Sequence, residues 1–105
     1  MHFVARLEDF VVPGIGVDVV DVDRMKFALE RTPKIRQRLF TEAEISYCEK
    51  FRFAERHYAG RWAAKEAVTK ALGCGLIQWN GVEVLRRPRQ APTVRIFGKI
   101  EQFAN

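Results

Sequence analysis

The longest periodic stretch of the chain runs from Glu55 to Leu72 and predicts one long α-helix. Gly73 and Gly75 follow it and supply the stop that glycine commonly gives to the end of a helix. Because small side chains allow another backbone to approach closely, the helix is expected to pack tightly on a neighbouring element. The small residues on its packing side are Gly60, Ala63, Ala64, Ala67 and Ala71.

The shorter elements combine helix and strand signals. Asp23 is a candidate N-cap for a helix over Arg24–Glu30, and a capping-box pattern opens a helix over residues 41–50. A last short helix is expected after Gly98. Strands are predicted at Phe10–Val22, Val82–Leu85 and Thr93–Phe97. The predicted fold class is therefore α+β, with a long helix packed on a small, mostly antiparallel sheet.

The size of the chain, 105 residues and 12.2 kDa, corresponds to one domain. A hydrophobic content of 48% is typical of globular proteins, and no apolar run approaches the roughly 18 residues that span a membrane. Cys48 and Cys74 are too few for a disulfide scaffold and lack the spacing of metal ligands. These features predict a soluble cytoplasmic protein.

Positive charge is concentrated in one short segment. Six bases and one acid fall between Arg24 and Arg38, in a chain whose net charge is +5. Such a segment favours an encounter with an acidic partner, although a solvated helix face without a partner explains it equally well. Nucleic acid is not expected as the partner, because the segment has one aromatic residue and no recognisable nucleic-acid motif.

Two carboxylates are candidates for a metal site. Asp18 lies among apolar residues, where a carboxylate is costly to bury unless it is paired or metal-bound. Glu66 lies on the long helix, four residues before Lys70. A half-exposed strand aspartate and a surface ion pair are the simpler interpretations of these two acids. Together they would suit Mg²⁺, which takes one or two protein carboxylates and completes its shell with water and phosphate oxygens.

Three bases on the long helix are candidates for binding phosphate groups. Helical spacing places Arg61 beside Lys65, and Lys70 beside Glu66. Ordinary surface ion pairs, which contribute little stability, remain the alternative. The histidines lie near no serine or cysteine in a nucleophile arrangement, so a hydrolase triad is not expected.

Three motifs carry a family resemblance: GIGVDVVDVDRM at 14–25, FTEAE at 40–44 and GRWAAKEAVTKALGCG at 60–75. They resemble the holo-[acyl-carrier-protein] synthases, the small 4′-phosphopantetheinyl transferases, over about residues 14–99. The GIGxD strand followed by the AAKEA helix is the signature of that family.

The resemblance implies the 4′-phosphopantetheinyl transferase fold and a reaction of fatty-acid biosynthesis. The 4′-phosphopantetheine group passes from coenzyme A to a serine of apo acyl-carrier protein, and 3′,5′-ADP is released. The implied Mg²⁺ ligands are Asp18 and Glu66, which form the implied catalytic set with Lys70. The implied coenzyme A-binding residues are Arg61, Lys65, Lys70, Gly73 and Gly75.

The resemblance also implies how the protein assembles. The basic first helix docks the acidic carrier protein in this family, and the implied docking residues are Arg24, Lys26 and Arg31. The family members are homotrimers whose coenzyme A sites are shared between subunits, so a homotrimer is expected.

The family pattern divides the chain into an N-terminal extension, 1–13, and a transferase domain, 14–105. Family members usually continue through a histidine-containing segment and a final strand, so the domain is expected to be C-terminally truncated. The alternative function is therefore a non-catalytic module that binds carrier protein or coenzyme A.

Overall fold

The computed structural model describes residues 3–6, 19–73, 81–86 and 89–97. The elements are β1 (Phe3–Arg6), α1 (Val19–Arg31), α2 (Ile35–Leu39), α3 (Glu42–Cys48), α4 (Ala54–Leu72), β2 (Val82–Leu85) and β3 (Thr93–Ile96). The predicted α+β class is confirmed. None of the described helices is long and apolar enough to cross a membrane. The short helix expected after Gly98 lies outside the described residues.

The first helix begins earlier than the sequence suggests. Because α1 starts at Val19, the predictions of a strand through Val22 and of an N-cap at Asp23 are wrong. Val22, Met25 and Leu29 recur at helical spacing and pack in one apolar cluster. A strand would send these side chains to opposite faces, so burial on one face outweighs the β propensity of the valines.

The predicted start of α3 and the predicted end of the long helix α4 are confirmed, whereas α3 ends at Cys48, two residues before the predicted end, and α2 is not predicted by the sequence analysis. At the start of α3, the Thr41 hydroxyl accepts a hydrogen bond from the Glu44 amide at 3.3 Å. In return, the Glu44 carboxylate accepts one from the Thr41 amide at 2.9 Å, which completes the capping box. The long helix α4 ends at Gly73, whose φ of 72° is the left-handed conformation that glycine adopts without a Cβ penalty.

The described strands form one antiparallel sheet of three, in the order β1-β3-β2. The predicted pair of β2 and β3 is confirmed, with Val82 opposite Ile96 and Val84 opposite Val94. The strand β1, which the sequence analysis does not predict, pairs with the other side of β3 and places Phe3 opposite Ile96. The segment expected to be an N-terminal extension therefore supplies an edge strand of the same sheet.

The buried apolar residues of the described ranges form two clusters, and α4 contributes to both. The helical core consists of Met25, Leu29, Phe40, Cys48, Tyr58 and Ala59. The sheet core consists of Ala64, Val68, Val82, Val84, Val94 and Ile96. The N-terminal half of α4 therefore packs on other helices and its C-terminal half packs on the sheet. Of the small residues expected on the packing side, Ala64 is buried in the sheet core, whereas Ala63 and Ala71 are exposed, so the prediction is wrong for those two.

Candidate functional site

A cavity of about 400 Å³ lies between α1 and α4, and Glu66 lines it. Asp21 and Arg24 line the same cavity from α1, and Met25 and Trp62 are among its apolar walls. This α1–α4 cavity brings together a carboxylate from each helix and one base. Arg24 and Glu66 belong to different sequence motifs, so the fold joins the first motif to the third.

The other predicted metal ligand, Asp18, lies outside the described residues. The residue that follows it begins α1, and Asp21 in the first turn of α1 lines the cavity that Glu66 lines. Within the described residues, no three side chains of histidine, cysteine, aspartate or glutamate form a group that could hold a metal ion. The donor chemistry still fits Mg²⁺, because that ion needs only one or two protein carboxylates beside phosphate oxygens and water.

A second cavity, of about 380 Å³, is lined by Arg56, Arg61 and Arg86. The Arg61 guanidinium carbon lies 4.0 Å from the centroid of the Tyr47 ring, which is a cation–π contact. Arg61 is only 7% exposed, and its Nε has no hydrogen-bond partner among the described residues. This Arg61 cavity therefore presents cationic donors that an anionic ligand would satisfy.

His57 also lines the Arg61 cavity, and its pKa indicates the sign of the electrostatic potential there. Its ring stacks on Phe51, with the two centroids 3.7 Å apart and 17° between the planes. Burial lowers the pKa of His57 below 6.5, and the charges of Arg61 and Arg86 lower it further. An additional positive charge is therefore disfavoured here, whereas a phosphate group would be attracted.

Lys65 lies in the interior of the protein and lines neither cavity. Its side chain is 0% exposed, and its Nζ lies 2.5 Å from Oε1 of Glu44. The same ammonium donates to the carbonyl oxygen of Leu39 at 2.7 Å. Burial lowers the pKa of Lys65, while the charge of Glu44 opposes that shift. This placement differs from the exposed position expected of a phosphate ligand.

The remaining predicted residues lie at the surface or outside the described part of the chain. Lys70 is exposed in the last turn of α4, Gly73 caps that helix, and Gly75 is not among the described residues. The three predicted docking bases, Arg24, Lys26 and Arg31, are all exposed on α1.

The sequence analysis misses several residues that line the two cavities. Asp21 lies in the first turn of α1, so a helix recognised from Val19 would have indicated it as a candidate. His57 and Arg86 carry no comparable local signal. They meet at one cavity because β2 packs beside α4, which is a long-range consequence of the fold.

Comparisons with known proteins point to one family. The family model of the 4′-phosphopantetheinyl transferase superfamily matches residues 14–104. The holo-[acyl-carrier-protein] synthase of Clostridium tetani is 42% identical over 90 residues, which are 84% of this chain and 71% of that protein. The enzyme of the same name from Clavibacter michiganensis is 45% identical over 95 residues, covering 90% of this chain and 75% of that protein.

A solved structure supports the same fold. The crystal structure of the holo-ACP-synthase from Plasmodium yoelii matches with a TM-score of 0.63 over 98% of this chain and 70% of that chain. At 19% identity, this match shows a likeness of fold. The sequence matches carry the family assignment: the chain belongs to the holo-[acyl-carrier-protein] synthases of the 4′-phosphopantetheinyl transferase superfamily, a family of transferase enzymes.

Proposed function

We propose that this protein transfers the 4′-phosphopantetheine group from coenzyme A to a serine of an apo acyl-carrier protein. The observation that carries the proposal is the α1–α4 cavity, where Glu66 of the third motif and Arg24 of the first motif line the same space. One residue is the proposed metal ligand and the other is the proposed carrier-docking base. A carrier bound over α1 would therefore present its serine beside the reacting phosphates.

Asp18 and Glu66 would hold the Mg²⁺ ion that the family pattern implies. When bound, the ion neutralises charge on the pyrophosphate of coenzyme A and orients it for attack. The carboxylate of Glu66 is half-buried at the cavity wall, which limits competition from bulk water for its oxygens.

The cationic side chains of α4 would bind the phosphates of coenzyme A. Arg61, whose buried Nε has no hydrogen-bond partner in the described part of the chain, suits an anionic group entering the Arg61 cavity. Lys70, exposed one helical turn after Glu66, suits a phosphate nearer the metal. Gly73 and Gly75 would line the path of the nucleotide at the end of the helix.

The group transfer is a phosphoryl substitution. The serine oxygen of the carrier forms a bond to the β-phosphorus of coenzyme A, and the bond from that phosphorus to the bridging oxygen breaks. The leaving group is 3′,5′-ADP, and the proton of the serine hydroxyl is released to solvent. Cations that face the pyrophosphate stabilise the charge that develops on the leaving oxygen.

The proposed function also includes docking of the carrier protein and assembly into an oligomer. Arg24, Lys26 and Arg31 would dock the acidic carrier protein, because all three are exposed on one helix of a basic segment. We extend the proposal to a cytoplasmic homotrimer that serves fatty-acid biosynthesis, with the coenzyme A site shared between subunits. Light scattering gives the mass of the assembly directly.

The metal ligands provide the direct test of the proposed function. Asp18→Ala or Glu66→Ala should lower the rate of transfer by at least about a hundred-fold, because each removes a negative ligand from the Mg²⁺ site. Glu55→Ala, which changes a carboxylate at the other end of the same helix, is the matched control and should retain transfer. Wild-type turnover in either ligand variant would contradict the assignment.

A module that binds coenzyme A and carrier protein without turnover is the second candidate. Isothermal titration beside a transfer assay separates the two functions. Binding of coenzyme A and carrier without release of 3′,5′-ADP would favour the module, whereas release of 3′,5′-ADP favours the transferase.

A further inference from the structure

A buried ion pair lies directly beside the proposed metal ligand. Lys65 and Glu44 are 0% and 1% exposed, and Nζ and Oε1 are 2.5 Å apart. Lys65 immediately precedes Glu66 on α4, so the backbone that carries the pair also carries the metal ligand. A change in the position of one residue therefore changes the position of the other.

The pair connects four parts of the fold. Lys65 of α4 donates to the carbonyl of Leu39, the last residue of α2. Glu44 of α3 accepts from the Thr41 amide and, with Oε2, from the Val84 amide of β2 at 3.0 Å. Each hydrogen bond is directional, so these contacts fix the rotation of α4 about its axis as well as its distance from the sheet.

The network continues to the sheet surface. The Thr41 hydroxyl donates to Oε2 of Glu83 at 2.5 Å, and Glu83 forms an ion pair with Arg95 at 3.4 Å. Lys65 and Glu44 are therefore held from the helical side and from the strand side at once.

Among the fully buried side chains in this part of α4, few are long enough to fix the rotation of the helix. The buried residues after Arg61 are Ala64, Lys65, Val68 and Thr69. Lys65 has the longest side chain among them. Small side chains allow a helix to rotate about its axis more easily than a long side chain held by fixed partners does. Well-packed apolar residues commonly stabilise a core at least as well as a buried ion pair does, so stability alone is a weak explanation for two buried charges.

We infer that the Lys65–Glu44 ion pair is a positioning element that fixes the orientation of Glu66 toward the α1–α4 cavity, and that Lys65 is not a phosphate ligand. This inference rests on the proposed function, because it takes Glu66 as a metal ligand. It assigns a role to Glu44, a residue that the family resemblance does not imply as a site residue.

A double-mutant cycle tests the inference. The variants are Lys65→Met, Glu44→Gln and the double variant, each checked for folding by thermal denaturation. Mn²⁺ binding in the presence of coenzyme A is measured by electron paramagnetic resonance, without turnover. Coenzyme A binding in EDTA is measured by isothermal titration. Lys70→Met, which removes an exposed lysine of the same helix, is the positive control for loss of a phosphate contact.

The three variants should weaken Mn²⁺ binding equally, by about ten-fold, because each breaks the same connection. Their affinity for coenzyme A in EDTA should stay that of the wild type, whereas Lys70→Met should lower it. If Lys65→Met alone fails to fold, the comparison of Glu44→Gln with the double variant decides, since equal Mn²⁺ affinities are expected.

Two results would overturn the inference while leaving the proposed function in place. One is wild-type Mn²⁺ affinity in all folded variants. The other is weaker coenzyme A binding in EDTA whenever Lys65 is replaced, which would make Lys65 a phosphate ligand. A wild-type protein that binds neither Mn²⁺ nor coenzyme A would overturn the proposed function, and the inference with it.

Discussion

Cys48 lies in the helical core with none of its surface exposed, in the same cluster as Tyr58 and Ala59. Burial raises the pKa of its thiol to about 11, because the thiolate would have to lose its hydration. Only the thiolate reacts readily with disulfide reagents, so the thiol of Cys48 is expected to be inert in the folded protein.

The expected inertness of Cys48 can be measured in a Cys74→Ser variant. At pH 8 its thiolate fraction should be about a hundred-fold below that of an unperturbed thiol, and burial excludes the reagent as well. A colourimetric disulfide reagent should therefore label Cys48 only after urea unfolds the protein. Rapid stoichiometric labelling of the native protein would contradict this environment.

His57 gives a second prediction, on the dependence of stability on pH. Its pKa in the folded protein lies below 6.5, chiefly because of burial and then because of Arg61 and Arg86. The folded state therefore takes up fewer protons than the unfolded state, and the free energy of unfolding should fall as the pH drops through 6.5. His57→Gln should flatten the pH dependence of Tm between about pH 7 and 5. An unchanged slope of Tm against pH would exclude His57 as the source of the pH dependence.

Arg61 and Lys65 show what residue spacing predicts and what it does not. Spacing of four places them on one side of a helix, and both are indeed buried on α4. Their partners come from elsewhere in the sequence: Tyr47 lies under Arg61, and Glu44 pairs with Lys65. The sequence therefore predicts the helix side but not the environment of each charge, which depends on how α3 packs.

At the scale of elements, Thr41 contributes to α3 in two ways. Its hydroxyl caps the helix and also donates to Glu83 of β2. Thr41→Ala removes both interactions and should lower the free energy of unfolding by about 2 kcal/mol. Urea denaturation measures the loss, with Thr41→Ser as the matched variant because it keeps the hydroxyl. Equal stability of the alanine and serine variants would refute both roles.

The elements that the sequence predicts correctly are those whose signals lie in neighbouring residues. The capping box, the end of α4 at Gly73 and the pair of β2 and β3 depend on neighbouring residues, and all three are confirmed. The predicted start of α1 is wrong because the valines of this segment favour a strand locally and pack as part of a helix only once the core is assembled. The strand β1 is defined by its pairing with β3, which is distant in the sequence, so the local residue pattern could not predict it.

At the scale of the whole molecule, the charge pattern makes a prediction about the carrier protein. Arg24→Glu should raise the KM for the carrier by about ten-fold or more at low salt, because it places an acid against an acidic partner. The KM for coenzyme A should change far less, and added salt should shrink the effect on the carrier. Initial-rate kinetics at two ionic strengths measure both.

Arg52→Glu is the control for that experiment, since it changes the net charge equally at an exposed base far along the sequence from α1. It should affect the KM for the carrier much less than Arg24→Glu does. Equal effects of the two variants would indicate a response to total charge and not to docking on α1.

The hydrogen bond from the Val84 amide to Glu44 has a consequence for unwanted association. Among the described strands, β2 lies at one edge of the sheet, and an edge amide is a group that a strand of another molecule can recruit. Here the Glu44 carboxylate already accepts a hydrogen bond from the Val84 amide. The Val84 amide is therefore unavailable to a strand of another molecule, so this edge offers one hydrogen-bond donor fewer for pairing between molecules.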